Sequence, residues 1–87
     1  MKEYLKAMQK MEKYKGQKIF AVFNDRGIRD SCHGKLVQVM SRILIIETYP
    51  GGAMEASVHY ENIIFIMDRR GDKIFALKDL GPGTDMK

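Results

Sequence analysis

The stretch from Asp30 to Tyr49, DSCHGKLVQVMSRILIIETY, limits what this chain can fold into more than any other. It reads as two consecutive β-strands that meet near Ser41-Arg42, with Gly34 inside the first. A glycine within a strand has no side chain to pack, so it marks a bulge, a sharp bend or the close approach of another backbone. A long strand bent at a glycine lets a small sheet curl over itself. The other segments are expected to close that sheet, with a basic helix placed on one end.

Residues 2 to 14, KEYLKAMQKMEKY, are good helix formers without Gly or Pro. At about 100° per residue, Met1, Tyr4, Leu5, Met8 and Met11 share one stripe, and Lys2, Lys6, Lys10 and Lys13 share another about 80° wide. Gly16 is expected to end this helix. A first strand, Lys18 to Asn24, is apolar on both faces, as in a closed or covered sheet. Asn24-Asp25-Arg26-Gly27 has turn chemistry, since Asn and Asp bond their own backbone and Gly takes positive φ freely. The second strand runs from about Ile28 to Met40 and the third from Arg42 to Tyr49, closed by the turn Pro50-Gly51-Gly52. Met54 to Val58 is a short fourth strand and His59-Tyr60-Glu61 a polar interruption. Asn62 to Met67 is a fifth strand, and a turn at Asp68-Arg69-Arg70-Gly71 leads to a last one, Asp72 to Leu77. The expected fold is mainly β: a small, strongly bent antiparallel barrel of five or six strands, of the Sm-like or SH3-like kind, with an N-terminal α-helix. Residues 1 to 80 form one domain, the barrel spanning 18 to 77, and residues 81 to 87 a flexible tail.

A chain of 87 residues buries only roughly 60 to 65 % of its extended surface. Strands apolar on both faces in so short a chain are expected to be covered by another copy, which favours a homo-oligomer. At 45 % hydrophobic and 30 % charged residues the composition is that of a globular protein. The apolar runs Ile43 to Ile46 and Ile63 to Met67 fall far short of the roughly 20 residues that span a bilayer. Met1-Lys2-Glu3-Tyr4 lacks the apolar core of a secretory signal, so a cytoplasmic location without membrane contact is expected. The lone Cys32 fits a reducing compartment, as a small buried side chain.

The net charge of +4 sits entirely in residues 1 to 18, where six lysines face Glu3 and Glu12; the remaining chain has nine basic and nine acidic residues. The lysine stripe is either a solvated face or an anion-binding one. Catalysis is not expected. No phosphate loop is present, His33, His59 and Cys32 lack zinc-ligand spacing, no nucleophile motif surrounds Ser31, Ser41 or Ser57, and the carboxylates form no recognisable pair. No cofactor or metal is expected. Arginines at turns (Arg26, Arg29, Arg42, Arg69, Arg70) and tyrosines near strand ends (Tyr49, Tyr60) supply phosphate neutralisation and stacking, which suits single-stranded RNA. The phenylalanines Phe20, Phe23, Phe65 and Phe75 are expected in the core.

The order of parts, YLKAMQK, KIFAVFN, the turn with Gly27-Ile28, the bent strand HGKLVQV, RILIIE and VHYENI, resembles the Sm-like family over about residues 4 to 67. Its bacterial RNA-chaperone branch, Hfq, is closer than the spliceosomal Sm proteins. The resemblance implies a homo-oligomeric ring, a hexamer or heptamer, joined by strand four of one chain pairing with strand five of the next. It also implies U-rich or A-rich single-stranded RNA bound on the helix-bearing face. By position, Arg42 replaces an aromatic stacking residue, and a guanidinium also stacks on a base. His59 and Tyr60 occupy the turn that touches bases and phosphate, Glu61 stands where the family has a histidine, and the uridine-contacting glutamine near the helix start is absent. An alternative register takes Arg70-Gly71-Asp72-Lys73-Ile74 as the turn of the second Sm motif, making Asn62 to Asp68 strand four. The first register leaves Pro50-Gly51-Gly52 as a hairpin turn of ordinary length and is preferred. The expected RNA-binding residues are Lys2, Lys6, Lys10, Lys13, Arg29, Arg42, His59 and Tyr60. The rival expectation is a small barrel that serves as a protein-interaction or assembly module.

Overall fold

Curling begins at Gly34. In the computed structural model, which describes residues 4–48 and 54–76, a Cβ placed on Gly34 would collide with the Glu47 carbonyl oxygen and lie 2.9 Å from its carbon. The glycine therefore marks close backbone approach: the β2 backbone passes directly beneath the end of β3. The elements in chain order are α1 (Leu5–Glu12), β1 (Lys18–Asp25), β2 (Ile28–Val39), β3 (Ile43–Glu47), β4 (Glu55–His59), a 3-10 turn (Tyr60–Asn62), β5 (Ile63–Asp68) and β6 (Lys73–Ala76). One antiparallel sheet joins the strands in the order β4-β3-β2-β1-β5-β6. Its edge strands are β4 and β6, and the sheet curls without closing. A Cα radius of gyration of 12.2 Å matches the value of about 12 Å for a compact chain of this length.

Expected and observed elements agree within a residue or two. The helix is shorter than expected, with Lys13 and Tyr14 in the turn that follows it and residues 2 and 3 outside the described range. The Pro50-Gly51-Gly52 turn, Tyr49, Leu77 and the tail 81–87 also lie outside it. The fourth strand in chain order is Glu55–His59, the fifth Ile63–Asp68 and the sixth Lys73–Ala76. The hairpin between β1 and β2 has a two-residue loop. Arg26 and Gly27 both have positive φ, 57° and 85°, the condition of a type I′ turn whose twist matches that of the strands it joins.

Inward-facing side chains from every strand meet the helix in one core. Tyr4, Ala7 and Met11 of the helix segment join Ile19, Ala21, Leu36, Leu44, Ile46, Val58, Tyr60, Ile63, Ile66, Ile74 and Phe75. The buried stripe is thus Tyr4, Ala7 and Met11, with Met8 half-buried beside them; Leu5, expected on it, is 49 % exposed. Leu5 lies about 100° round the helix from Tyr4, too far for a sheet contact that reaches only one side of so short a helix. The phenylalanines also divide. Phe75 is core and Phe23 packs against it, but Phe20 and Phe65 are half-buried on the outer face. Phe20 stands between Ile19 and Ala21, which both point inward, so strand alternation turns it outward.

β6 has a consequence for assembly. It pairs with β5 along Phe65↔Ala76, Ile66↔Phe75 and Met67↔Lys73, while β1 holds the other side of β5. Over Phe65–Met67, β6 occupies the β5 edge that the strand-four to strand-five junction implied by the resemblance would use. Among the described residues the open edges belong to β4 and β6.

Candidate nucleic-acid interface

The lysine face is positioned by how α1 is held at its start. The Tyr4 amide donates to the Ser41 carbonyl at 2.8 Å, and the Tyr4 hydroxyl donates to Glu61 Oε2 at 3.1 Å. Its ring lies 5.8 Å from that of Tyr60, which in turn lies 6.3 Å from Phe75, a tilted aromatic series under the helix. With Tyr4, Ala7 and Met11 turned inward, Lys6, Lys10 and Lys13 face out. They line a groove of about 510 Å³ together with Gln9 and with Phe75 of β6 as the far wall. Lys2 lies outside the described residues.

At the Tyr4 end of the helix a smaller concavity of about 260 Å³ gathers Tyr4, Arg42, His59 and Glu61. Register explains the meeting. His59 is the β4 partner of Ile43, and the Tyr60 amide donates to the Arg42 carbonyl at 3.1 Å, so Arg42 and His59 project from adjacent positions. Glu61 here accepts the hydrogen bond that anchors Tyr4. A second concavity, about 310 Å³, lies on the other side of His59 and contains Asp25, Asp30, Ser57 and Asn62. His59 thus stands between a recess of mixed charge and an acidic one.

Tyr60 does not belong to this rim. It is fully buried, and its hydroxyl donates to the Met40 carbonyl at 2.8 Å. Burial, with the charge of Glu12 second, pushes its phenol well above the ordinary value. A ring enclosed in this way offers no face to a base, so the stacking role expected of Tyr60 is replaced by a structural one. Arg29 is exposed at the hairpin tip opposite Asn24 and lines neither the helix groove nor the Arg42 concavity. Of the eight expected residues the structure therefore brings together Lys6, Lys10 and Lys13 in one group and Arg42 with His59 in another.

A further basic group went unrecognised in the sequence. Lys18, Lys35 and Arg69 share a concavity of about 640 Å³ with Gly16 and Gln17. Centring the hairpin on Arg26-Gly27 places Lys18 opposite Lys35, so the turn residues carried the missing signal. Cys32 is half-buried against the core, and burial followed by the Asp30 carboxylate raises its pKa, which disfavours the reactive thiolate. Among the described residues no three His, Cys, Asp or Glu side chains gather as a metal site, and no helix is long and apolar enough to cross a membrane. Comparison with family models, curated proteins and solved structures finds no match to this chain.

Proposed function

We propose that this protein binds single-stranded RNA, U-rich or A-rich, as an Sm-like homo-oligomeric ring. The observation that carries the reading is the gathering of Lys6, Lys10 and Lys13 along one groove beneath which the fold is otherwise apolar. Lysines on a rigid helix neutralise successive phosphates regardless of sequence. Arg42 and His59, at the Tyr4 end of the same helix, would add a guanidinium plane and an imidazole for a base. The ring, of six or seven subunits, would be joined through the open edges of β4 and β6 rather than through β5.

Fluorescence anisotropy with labelled U-rich and A-rich oligonucleotides tests the reading. If three phosphates are neutralised, affinity should fall about tenfold to twentyfold between 50 and 200 mM salt. Lys6→Glu, Lys10→Glu and Lys13→Glu together should abolish binding and leave the solution mass unchanged. Absence of binding by the natural protein at 50 mM salt would remove the RNA reading. The open edges of β4 and β6 favour a second reading, an assembly module for protein partners. A sedimentation mass above the 10.0 kDa of one chain, without RNA binding, would favour it.

A further inference from the structure

The outer face of the sheet, away from the helix groove, holds an apolar recess with cations along one rim. Cross-strand partners share a face, and so do residues two apart on a strand. His33 of β2, Phe20 of β1 and Met67 of β5 are successive partners across three strands, and Lys35 and Lys18 form the adjacent row. Phe20 and Met67 are apolar side chains left half-buried on this face. With His33 they line a recess of about 330 Å³, which shares Lys18 and Arg69 with the basic concavity that contains Lys35. Small-molecule pockets run from roughly 300 to 1,000 Å³, with mostly apolar walls and a few charged groups that orient the ligand, and this recess falls at the small end.

Among the described residues no carboxylate answers the cations on this rim. Lys18 and Lys35 stand directly opposite one another, and like charges so placed destabilise a sheet. Glu47, the β3 partner of Lys35, forms no ion pair with it, and no described carboxylate is within ion-pair distance of Lys18 or Arg69. Arg69 contrasts with its neighbour Arg70, whose guanidinium is held between Asp68 and Asp72 at 3.5 and 3.6 Å. The same turn is fixed by amide bonds from Arg70 and Asp72 to the Asp68 carboxylate, which leaves Arg69 on a rigid support facing the recess. Asp68 also borders the recess, but those amides and Arg70 already engage its carboxylate, so the charge left to meet a ligand is positive.

We infer that the recess over Phe20 is a small-molecule site for a single-chain alkyl carboxylate, with the chain lying between Phe20 and Met67 and the carboxylate held by Arg69 and Lys18. A guanidinium presents a planar fork that matches the two oxygens of a carboxylate. The flexible thioether of Met67 lets the apolar wall adapt to a chain, and each methylene taken out of water strengthens binding. The same rim repels a cationic head and gives a neutral one no charge to pair with, so the head group decides which amphiphile is accepted. The site uses none of the helix lysines, and its test needs no RNA.

The test titrates butanoate, hexanoate, octanoate and decanoate, below their micelle thresholds, into the natural protein and into variants whose folding is checked by circular dichroism. Amide chemical shifts locate the ligand: those of Phe20, His33 and Met67 should move, and those of Lys6 and Lys10 should not. Affinity should rise about fourfold per added methylene until the recess is filled and then level off. Octan-1-ol should bind about tenfold or more weakly than octanoate, for want of a charge-assisted bond, and octyltrimethylammonium should not bind. Arg69→Gln should weaken every carboxylate about tenfold and leave octan-1-ol unchanged. Phe20→Thr keeps a strand-forming residue but removes the apolar wall, so it should flatten the gain with chain length. Lys18→Gln should raise the Tm of the free protein by about 1 to 4 °C by relieving the Lys18–Lys35 repulsion, while weakening octanoate. Equal affinity for octanoate and octyltrimethylammonium, shifts confined to the helix lysines, or octanoate binding unmoved by both Arg69→Gln and Phe20→Thr would overturn the site. So would binding to vesicles of anionic lipid without binding to any free carboxylate, which would make this face a membrane contact instead.

Discussion

The β1–β2 hairpin is held tightly at one end and stands clear at the other, and each end depends on a glycine for a different reason. At the base, Gly34 lies under the Glu47 carbonyl, and Leu36 two residues on is fully buried, its amide donating to the Gln17 carbonyl and its carbonyl accepting from the Gly16 amide. At the tip, Gly27 has open space around its Cα, and Ile28 beside it is 70 % exposed. Gly27 is required by backbone angle, since its φ is 85°; Gly34 is required by space. The base is where the chain holds the curl of the sheet, so a fault there should spread, and a fault at the tip should stay local.

The largest expected effect is therefore Gly34→Ala. A methyl group driven into a backbone carbonyl cannot be relieved by a side-chain rotation, so β2 and β3 must separate. Overpacking of this kind costs about 2 to 3 kcal/mol, which for a chain of this size lowers Tm by roughly 10 to 20 °C. Urea unfolding followed by circular dichroism measures it. A loss below about 0.5 kcal/mol, the ordinary range for a surface change, would mean that the close approach does not hold the curl.

Gly27→Ala should cost less, about 1 to 2 kcal/mol for a Cβ in the left-handed region. Gly27→Asn should recover most of that, because Asn tolerates positive φ. The decisive comparison is hydrogen exchange. Gly34→Ala should speed exchange at Leu36, Leu44 and Ile46, whereas Gly27→Ala should speed it only near the tip. Equal effects at both sets of amides would break the distinction between the two ends.

This contrast also explains what was legible in the sequence. Gly34 inside a strand pattern announced a special backbone position, and the turn at Arg26-Gly27 announced a hairpin, because both signals are local. The identity of the atom that crowds Gly34 belongs to Glu47, thirteen residues away in sequence, and could not be read from the glycine itself. Tyr60 was misplaced for the same reason. His59-Tyr60-Glu61 looks like an exposed polar turn, yet the Tyr60 ring reaches back under α1 and its hydroxyl finds the Met40 carbonyl twenty residues earlier. Glu61 bonds Tyr4 across a separation of 57 residues. The helix lysines were found because a period of 3.6 is written in the local sequence; Lys18 and Lys35 were missed because their meeting depends on a register count through the turn. The closing of β5 by β6 had no local signal beyond the turn residues Asp68 to Gly71, which fix a hairpin but not which neighbouring edge it will occupy.

The β5–β6 hairpin sharpens the comparison with the smallest effect, because its tip is fastened by charge as well as by backbone angle. Gly71 has φ of 92°, like Gly27, but the Asp68 carboxylate also accepts amide hydrogen bonds from Arg70 at 2.9 Å and Asp72 at 3.0 Å. Desolvation works against ionisation of Asp68, but the two amide bonds and the Arg70 guanidinium outweigh it, and its pKa is lowered. A carboxylate with a lowered pKa stabilises the fold above its unfolded value, and that contribution is lost as pH falls through the lowered one. Acid should therefore loosen the β5–β6 turn while leaving the β1–β2 tip, whose loop is set by φ, in place. Amide chemical shifts of Arg70 and Asp72 should move together as pH falls below the ordinary carboxylate range, with no matching movement at Gly27. Asp68→Asn keeps an oxygen for both amides but no charge for Arg70, so the shifts should lose their acid transition while the turn persists at neutral pH, with a Tm loss smaller than that of Gly27→Ala. If Asp68→Asn instead opens the turn at neutral pH, the charge and not the hydrogen-bond geometry holds this hairpin, and Arg69 loses the rigid support that aims it at the outer face.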